Sequence, residues 1–223
     1  MKFTYPEISD VFDTNIKFVN CIIIENQELM WRILVDINNQ LDKNEGKSVL
    51  SENESILPIA QNLELLTEFI QFDINKKNLI NKLIAKMIED AVEEYQYGKT
   101  LNLMSEIEKF LYEMTFSYTG DICFEKCNVD TLIKSVSPRF DSLVDDSICE
   151  KIIDYVGLVN EYDRDKLFIT YNLRDIVSDS EIELFMENIL KKRYNFIMIE
   201  TKEHNLLSFE KRYIIDKALC EIK

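Results

Sequence analysis

The sequence predicts an α/β fold whose core is a mostly parallel sheet, with an inserted α-helical domain. Two apolar runs rich in β-branched and aromatic residues, 167–171 and 196–199, suit strands that are covered on both faces. Between them, apolar residues recur at three- and four-residue spacing from Ile182 to Ile189, as on one face of a helix. A strand, a helix and a strand of this length form a βαβ crossover, and such crossovers build parallel sheets.

The ends of the predicted crossover helix carry residues typical of helix termini. Ser178 and Glu181 have the spacing of a capping box at the start. The C-terminal basic cluster, Lys191, Lys192 and Arg193, lies where the helix dipole favours cations.

The rest of the core is predicted from the same patterns, taken in chain order. The predicted elements are an edge hairpin (1–15), a strand (16–24), a helix capped by Asn26, two short strands (48–50 and 55–59), a short helix (62–70) and a last strand (213–215). Pro58 limits the third strand to a sheet edge or to a strand end. The first seventy residues therefore alternate between β and α structure.

From about residue 75 the pattern changes to helices. The predicted helices are 79–95, 103–114, 130–136 and 141–162. Gly98 is expected to end the first of them in the left-handed conformation. The prediction is thus two domains, an α/β core formed by 1–74 with 161–223 and an α-helical domain formed by 75–160.

Composition limits the class of protein. The chain has 26 Lys and Arg against 41 Asp and Glu, a net charge of −15, which argues against nonspecific nucleic-acid binding as a bulk property. No apolar run approaches the roughly 18 residues of a membrane span, and the start of the chain does not resemble a signal peptide. The five cysteines are odd in number and scattered, as expected of reduced thiols. We therefore expect a cytoplasmic protein without a membrane partner.

Glycine-rich phosphate loops are absent from the sequence. Such a loop needs at least two glycines within a few residues, and the four glycines lie far apart, at Gly46, Gly98, Gly120 and Gly157. The segment 45–48, Glu-Gly-Lys-Ser, ends like a P-loop, but Leu41 occupies the position of the first glycine. An ATP- or GTP-hydrolysing enzyme that uses the carboxyl edge of the sheet is an alternative, which Lys47→Ala would test.

Thiol and histidine chemistry has little support. Cys123 and Cys127 lie four residues apart, but no second pair accompanies them, and His204 is the only histidine. A tetrahedral zinc site needs four such ligands at local spacing. We interpret the two cysteines as small, semi-buried side chains and His204 as a surface residue.

The charge order along the first long predicted helix is unusual. Four lysines lie at its start, Lys76, Lys77, Lys82 and Lys86, and the carboxylates Glu89, Asp90, Glu93 and Glu94 lie at its end. The helix dipole favours the reverse order, although Lys86 can pair with Asp90 four residues on. One interpretation is a solvated face, and the other is a local anion-binding patch.

Carboxylates are dense between the helical segments, but none has EF-hand spacing. A calcium ion needs six to eight oxygen ligands, often drawn from several segments, so a linear pattern does not reveal such a site. An acidic, solvated surface is the other interpretation.

Taken in order, several segments resemble one family. They are IKFVNCIIIEN, NKKNLINKLIAKMIEDAVEEY, DTLIKSV, KLFITYNLRDIVSDSEIELFMENI and YNFIMIE. The pattern is similar to the Csn-two family, the small adaptation proteins of type II-A CRISPR-Cas systems. The resemblance covers nearly the whole chain and consists of element order and apolar runs.

The resemblance implies an α/β core like a degenerate P-loop fold. It also implies a homotetrameric ring held by calcium, which binds double-stranded DNA ends through a lysine-lined hole. It implies no nuclease or ATPase activity, and a role in spacer acquisition with the integrase and the effector nuclease of the same system. On this basis the DNA-binding residues are Lys76, Lys77, Lys82 and Lys86. The calcium ligands, which the family pattern does not match by position, are predicted from carboxylate density as Glu113, Asp121, Glu125 and Asp130.

Geometry reconciles DNA binding with the acidic net charge. At physiological salt the Debye length is about 8 Å, so duplex inside a hole is affected by its lining more than by the outer surface. Cations repeated by ring symmetry would suffice for sequence-independent phosphate contacts. A third hypothesis is an acidic protein-interaction module that binds neither DNA nor nucleotide.

Overall fold

The computed structural model describes residues 1–15, 17–141 and 147–222. The chain divides into two compact units, the first formed by Met1–Ile74 with Ser142–Lys223 and the second by Asn75–Asp141. None of the helices described is both long and apolar enough to cross a membrane.

The first unit contains two sheets. Its strands are β1 (Lys2–Thr4), β2 (Phe12–Asp13), β3 (Val19–Ile24), β4 (Val49–Glu52), β5 (Ser55–Leu57), β6 (Leu63–Leu66), β7 (Leu167–Tyr171), β8 (Asn195–Glu200), β9 (Glu210–Ile215) and β10 (Glu221–Ile222). The larger sheet has the order β10-β9-β3-β8-β7-β6, and the smaller one the order β2-β1-β4-β5. In the larger sheet every pair is parallel except β9 with β10. The predicted α/β fold with a mostly parallel sheet is confirmed.

Seven α-helices accompany the strands in the described residues. They are α1 (Gln27–Leu41), α2 (Ile59–Asn62), α3 (Lys77–Val92), α4 (Glu94–Thr115), α5 (Val129–Ser135), α6 (Ile148–Tyr162) and α7 (Asp179–Lys192). A 3-10 turn, Leu173–Asp175, follows β7.

The crossover β7–α7–β8 forms as the sequence predicts. Ile169 of β7 pairs in parallel with Ile197 of β8, and both are buried. The Ser178 hydroxyl accepts a hydrogen bond from the Glu181 amide at the start of α7. The helix ends at Arg193, whose φ of 56° is left-handed. One face of α7 is buried, so the helix packs on the core through that face.

Helix α1 packs against the core cluster on the sheet. Its start is capped as predicted, because the Asn26 side chain accepts a hydrogen bond of 2.9 Å from the Leu29 amide. Ile33 and Ile37 are buried in the same cluster as Ile22 of β3. β3 is buried along its whole length, as expected of a central strand.

The prediction of a helix over 62–70 is wrong. Leu63–Leu66 is the strand β6, at the edge of the parallel sheet, where Leu63 is in register with Leu167. Leu63 and Leu66 are both buried. Their spacing suits a helix, but pairing with β7 satisfies the backbone, so tertiary contacts override the local pattern.

The boundary predicted at residue 160 also needs correction. The helix predicted over 141–162 is α6, Ile148–Tyr162, and residues 142–146 lie outside the described part. This helix belongs to the first unit, where the Tyr155 ring packs edge-on against Phe168 of β7 with centroids 6.3 Å apart. The Tyr155 hydroxyl also donates to the Glu64 carboxylate of β6. Since it packs on the sheet, α6 is part of the α/β core.

The second unit contains α3, α4 and α5, with α3 packed against both of the others. Gly98 does not end a helix, contrary to the prediction, because it lies inside α4. The chain instead breaks at Glu93, whose φ of −63° and ψ of 148° are extended. Across this break the Thr100 hydroxyl donates a 2.6 Å hydrogen bond to the Ala91 carbonyl. The turn is therefore stabilised by a side chain and not by a glycine.

Candidate nucleic-acid interface

The predicted lysines lie at the start of α3 but not on one face. Lys76 precedes the helix and Lys77 is its first residue. Lys82 and Lys86 lie one turn apart on the same side, whereas Lys77 lies about 140° around the helix from Lys82. The arrangement surrounds the helix start and does not form a single stripe.

The start of α3 differs from the starts of α1, α6 and α7. No side chain caps it, and its first turn has no acidic residue. The other three helices have an Asn or Ser cap and a Glu in the first turn. Uncapped amides at a helix N-terminus favour an anion, and Lys76 and Lys77 add two cations there. This end of α3 is therefore suited to a phosphate group.

Lys86 is paired with two carboxylates of its own helix. Its Nζ lies 2.9 Å from Asp90 Oδ1 and 3.3 Å from Glu89 Oε2, on the exposed surface. The hydrogen bond to Asp90, with that to Glu89, raises the pKa of Lys86 above its usual value. The pairing with Asp90 expected from the sequence is present, and it neutralises this end of the patch.

The C-terminal basic cluster is also partly neutralised. Lys191 Nζ lies 2.8 Å from Glu187 Oε1, and Lys192 lies over the Tyr194 ring at 5.8 Å from its centroid. Lys191 and Arg193 line an open cleft of about 1160 Å³ that carboxylates such as Glu52 also line. Mixed charge makes this cleft a weaker candidate for duplex than the start of α3.

The four predicted calcium ligands do not form a site within one chain. Asp130 pairs with Lys134 at 2.8 Å, and Glu113 lies 3.9 Å from the ammonium of Lys109. Asp121 and Glu125 are exposed on the connection between α4 and α5. No group of three or more His, Cys, Asp or Glu side chains able to hold a metal occurs in the described residues.

The segment that resembles the end of a P-loop binds an internal carboxylate. Asp36 of α1 accepts hydrogen bonds from the amides of Lys47 (2.6 Å) and Ser48 (2.8 Å), and from the Ser48 hydroxyl (2.6 Å). Burial alone would raise the pKa of Asp36, but these hydrogen bonds hold it below its usual value. The donors that would contact a phosphate in a P-loop are thus already used.

The connection in which a phosphate loop usually lies in this fold is also too short. In a P-loop protein a long glycine-rich loop joins a parallel strand to its helix. Here only Glu25 and Asn26 join β3 to α1. These two residues provide no cradle for a triphosphate.

Sequence reasoning missed a buried ionic network beside the carboxyl end of β8. The side chain of Arg174 donates to Glu210 (3.0 Å) and to Asp179 (2.9 Å). Its backbone amide donates to Glu200, whose pKa is raised by burial to about 7. His204 is half-buried beside Glu200, and burial with the nearby Arg174 lowers its pKa. The sequence offered no signal, because Glu200 and Glu210 lie 26 and 36 residues from Arg174 along the chain.

The second unit has little core of its own. Leu79 is the buried residue of α3 and Met104 that of α4, and α5 has none. On α4, Leu103, Phe110 and Met114 form an exposed stripe, with Phe110 61% exposed. These exposed apolar side chains are a candidate contact surface.

Comparison with known proteins identifies the family. Residues 40–219 match the family described as CRISPR-associated protein (Cas_Csn2). Among solved structures, the crystal structure of Stu0660 of Streptococcus thermophilus is similar, with a TM-score of 0.53 and 13% sequence identity over 91% of this chain and 69% of that chain. At this identity the likeness shows the fold alone. None of the curated proteins matches the sequence. Because the family match spans most of the chain, this protein belongs to the CRISPR-associated Cas_Csn2 family, the Csn-two family of the sequence resemblance.

Proposed function

We propose that this chain is a non-catalytic protein that forms a homotetrameric ring and binds double-stranded DNA ends during CRISPR spacer acquisition. Binding would be independent of sequence and dependent on calcium. Family membership supports the CRISPR-associated role. The observation that carries the proposal is the uncapped, lysine-rich start of α3, which suits phosphate contacts.

The exposed apolar stripe of α4 supports self-association. Two helices that bury so few of their own residues leave a surface for another molecule to cover. The occupant we propose is a second copy of the chain, so that several α3 starts would surround one duplex. Phe110→Ser should lower the mass measured by light scattering, with Leu184→Ser on α7, also an exposed residue, as the control. A tetramer that persists in Phe110→Ser would contradict this use of the stripe.

Calcium dependence is part of the proposal. Because the four predicted carboxylates are not grouped within one described chain, we expect the oxygen ligands to come from more than one copy. The measurement is the mass in solution with calcium and with a chelator. An identical tetramer under both conditions would refute a calcium-held ring.

The decisive DNA experiment compares linear duplex with a closed circle of the same sequence in a gel shift. Retention of the linear form alone is expected, and it should weaken with added salt. Equal retention of circles would show that the duplex does not thread through a hole. No retention of either form, with no nucleotide bound, would favour the protein-interaction module.

Matched charge variants locate the DNA-binding surface. We expect Lys77→Glu with Lys82→Glu to abolish retention. The control, Lys109→Glu with Lys134→Glu, makes the same charge change elsewhere in the same unit. If the control weakens retention equally, bulk charge and not the start of α3 controls binding.

A single variant should separate DNA binding from stability. Lys77→Asp would place a carboxylate in the first turn of α3, where the helix dipole favours it by roughly 0.3–1 kcal/mol. The same carboxylate would repel phosphate, so the melting temperature should rise while DNA retention falls. Unchanged retention would mean that DNA does not contact this end of the helix.

The hydrolase alternative has less support. The amides of Lys47 and Ser48 bind Asp36, and the connection from β3 to α1 has only two residues. Hydrolysis of ATP that Lys47→Ala abolishes would nevertheless overturn the non-catalytic assignment. The integrase and the effector nuclease of the same system are the proposed protein partners.

A further inference from the structure

A pocket of about 490 Å³ lies at the carboxyl edge of the larger sheet, within the first unit. It opens where β3 and β8 end side by side. After β3, the next strand of this sheet along the chain is β6, which lies on the β8 side of β3. After β8, the next strand is β9, which lies on the opposite side of β3. Open α/β sheets bind ligands at such a reversal of strand order.

One wall of this pocket is aromatic and apolar. Trp31, the only tryptophan of the sequence, lines it and is 69% exposed. Met30 and Leu34 of α1 and Tyr171 at the end of β7 complete the wall. An exposed indole beside a pocket offers a face on which a nucleobase can stack.

Two lysines line the same pocket from loops that hydrogen bonds hold in place. Lys202 follows Thr201, whose amide and hydroxyl both donate to the side chain of Asn172. Lys202 also pairs with Asp175 at 2.8 Å. Lys217 follows β9, and its carbonyl accepts a 3.0 Å hydrogen bond from Asn26. The pocket thus combines a stacking face with two ammonium groups, which suit a phosphate.

We propose that this pocket binds a nucleoside monophosphate group, either free or at the end of an unpaired DNA strand. The base would stack on Trp31 and the phosphate would lie between Lys202 and Lys217. Glu25, which also lines the pocket, would accept a hydrogen bond from the amino group of cytosine. The two-residue connection after β3 offers no cradle for further phosphates, so a monophosphate is the expected class.

Fluorescence of the single tryptophan reports binding directly in the full chain. Titration with dCMP should quench Trp31 emission to saturation. Deoxycytidine, which lacks the phosphate, and the double variant Lys202→Ala/Lys217→Ala should each bind at least roughly tenfold more weakly. The control variant Lys191→Ala/Lys192→Ala makes the same charge change in the last turn of α7 and should bind like the wild type.

Two further arms identify the source of the group. A duplex with a single-stranded dC tail should compete with dCMP, and a blunt duplex should not, if the terminal nucleotide of DNA is the ligand. Competition by neither duplex would leave the free nucleotide as the ligand. Absence of quenching by dCMP, equal binding of deoxycytidine, or equal loss in the control variant would overturn the proposal. Duplex retention in the gel shift is measured separately, so failure of one proposal is distinguishable from failure of the other.

Discussion

The variant Glu200→Gln tests whether the ionic network imposes a pH dependence on stability. Glu200 ends β8 with a side chain that is 0% exposed. Its Oε1 accepts a long hydrogen bond of 3.4 Å from the Arg174 amide, and its Oε2 has no hydrogen-bond partner among the described residues. The groups that act on it are Arg174, which lowers its pKa, and Asp175 and Glu210, which raise it. Burial has the largest effect and favours the neutral acid.

The magnitude follows from the raised pKa. The folded value of about 7 lies above the usual 4.5, so the folded state holds the Glu200 proton more tightly than the unfolded state does. The free energy of unfolding should therefore fall as the pH rises from about 4.5 to 7, by up to roughly 3 kcal/mol at 1.36 kcal/mol per pKa unit. His204, whose pKa is lowered, acts in the opposite direction over part of this range.

The assay is urea unfolding of wild type and variant at pH values from 5 to 8, followed by circular dichroism. Gln keeps the shape of the side chain and removes its titration, so the variant should gain stability relative to the wild type as the pH rises. The control, Glu203→Gln, removes an exposed carboxylate that pairs with Arg212 at 2.7 Å and should leave the slope unchanged. If the free energies of unfolding of wild type and Glu200→Gln change with pH in parallel, Glu200 is not the group that titrates.

Three further substitutions test packing and local structure by chemical unfolding. Asp36→Asn should lower the free energy of unfolding by roughly 1.5–3 kcal/mol, because it weakens charge-assisted hydrogen bonds. This loss should shrink in acid, where Asp36 itself becomes protonated. An unchanged unfolding midpoint at neutral pH would contradict the prediction. Leu63→Ala should cost about 2–5 kcal/mol if β6 is a buried strand, whereas Leu184→Ala on the exposed face of α7 should change little. Gly98→Ala should add roughly 0.5–1 kcal/mol, since Gly98 is helical and a Cβ there meets nothing within 4 Å; a loss would show that the glycine is needed.

Much of the fold was predictable because local patterns and tertiary contacts agree in most elements. β3, α1 and the crossover β7–α7–β8 all have periodicity and caps that match their packing. The disagreement at Leu63–Leu66 arose because an edge strand of four residues is determined by its partner β7, which lies about a hundred residues away. α6 has a helical pattern in either domain, and only its contacts assign it to the core.

The candidate site was less predictable. Counting lysines pointed to the start of α3, but a linear sequence does not show which charges are already paired, as Lys86 is with Asp90. The carboxylate that fills the Gly-Lys-Ser segment, Asp36, lies in the preceding helix and gives no motif. The Glu200 network and the pocket at Trp31 form only when the ends of several strands meet.

The net charge of −15 is compatible with the proposed DNA contact, because charges close to the contact have the largest effect on it. The order of charges along α3 matters less than expected, because Glu89 and Asp90 neutralise Lys86. The proposed contact therefore rests on the start of the helix, where Lys77 and backbone amides without a side-chain cap share a first turn that has no carboxylate. Both effects act over about one turn of helix, within a Debye length, so only carboxylates farther away than that length are largely screened from a phosphate in the proposed contact.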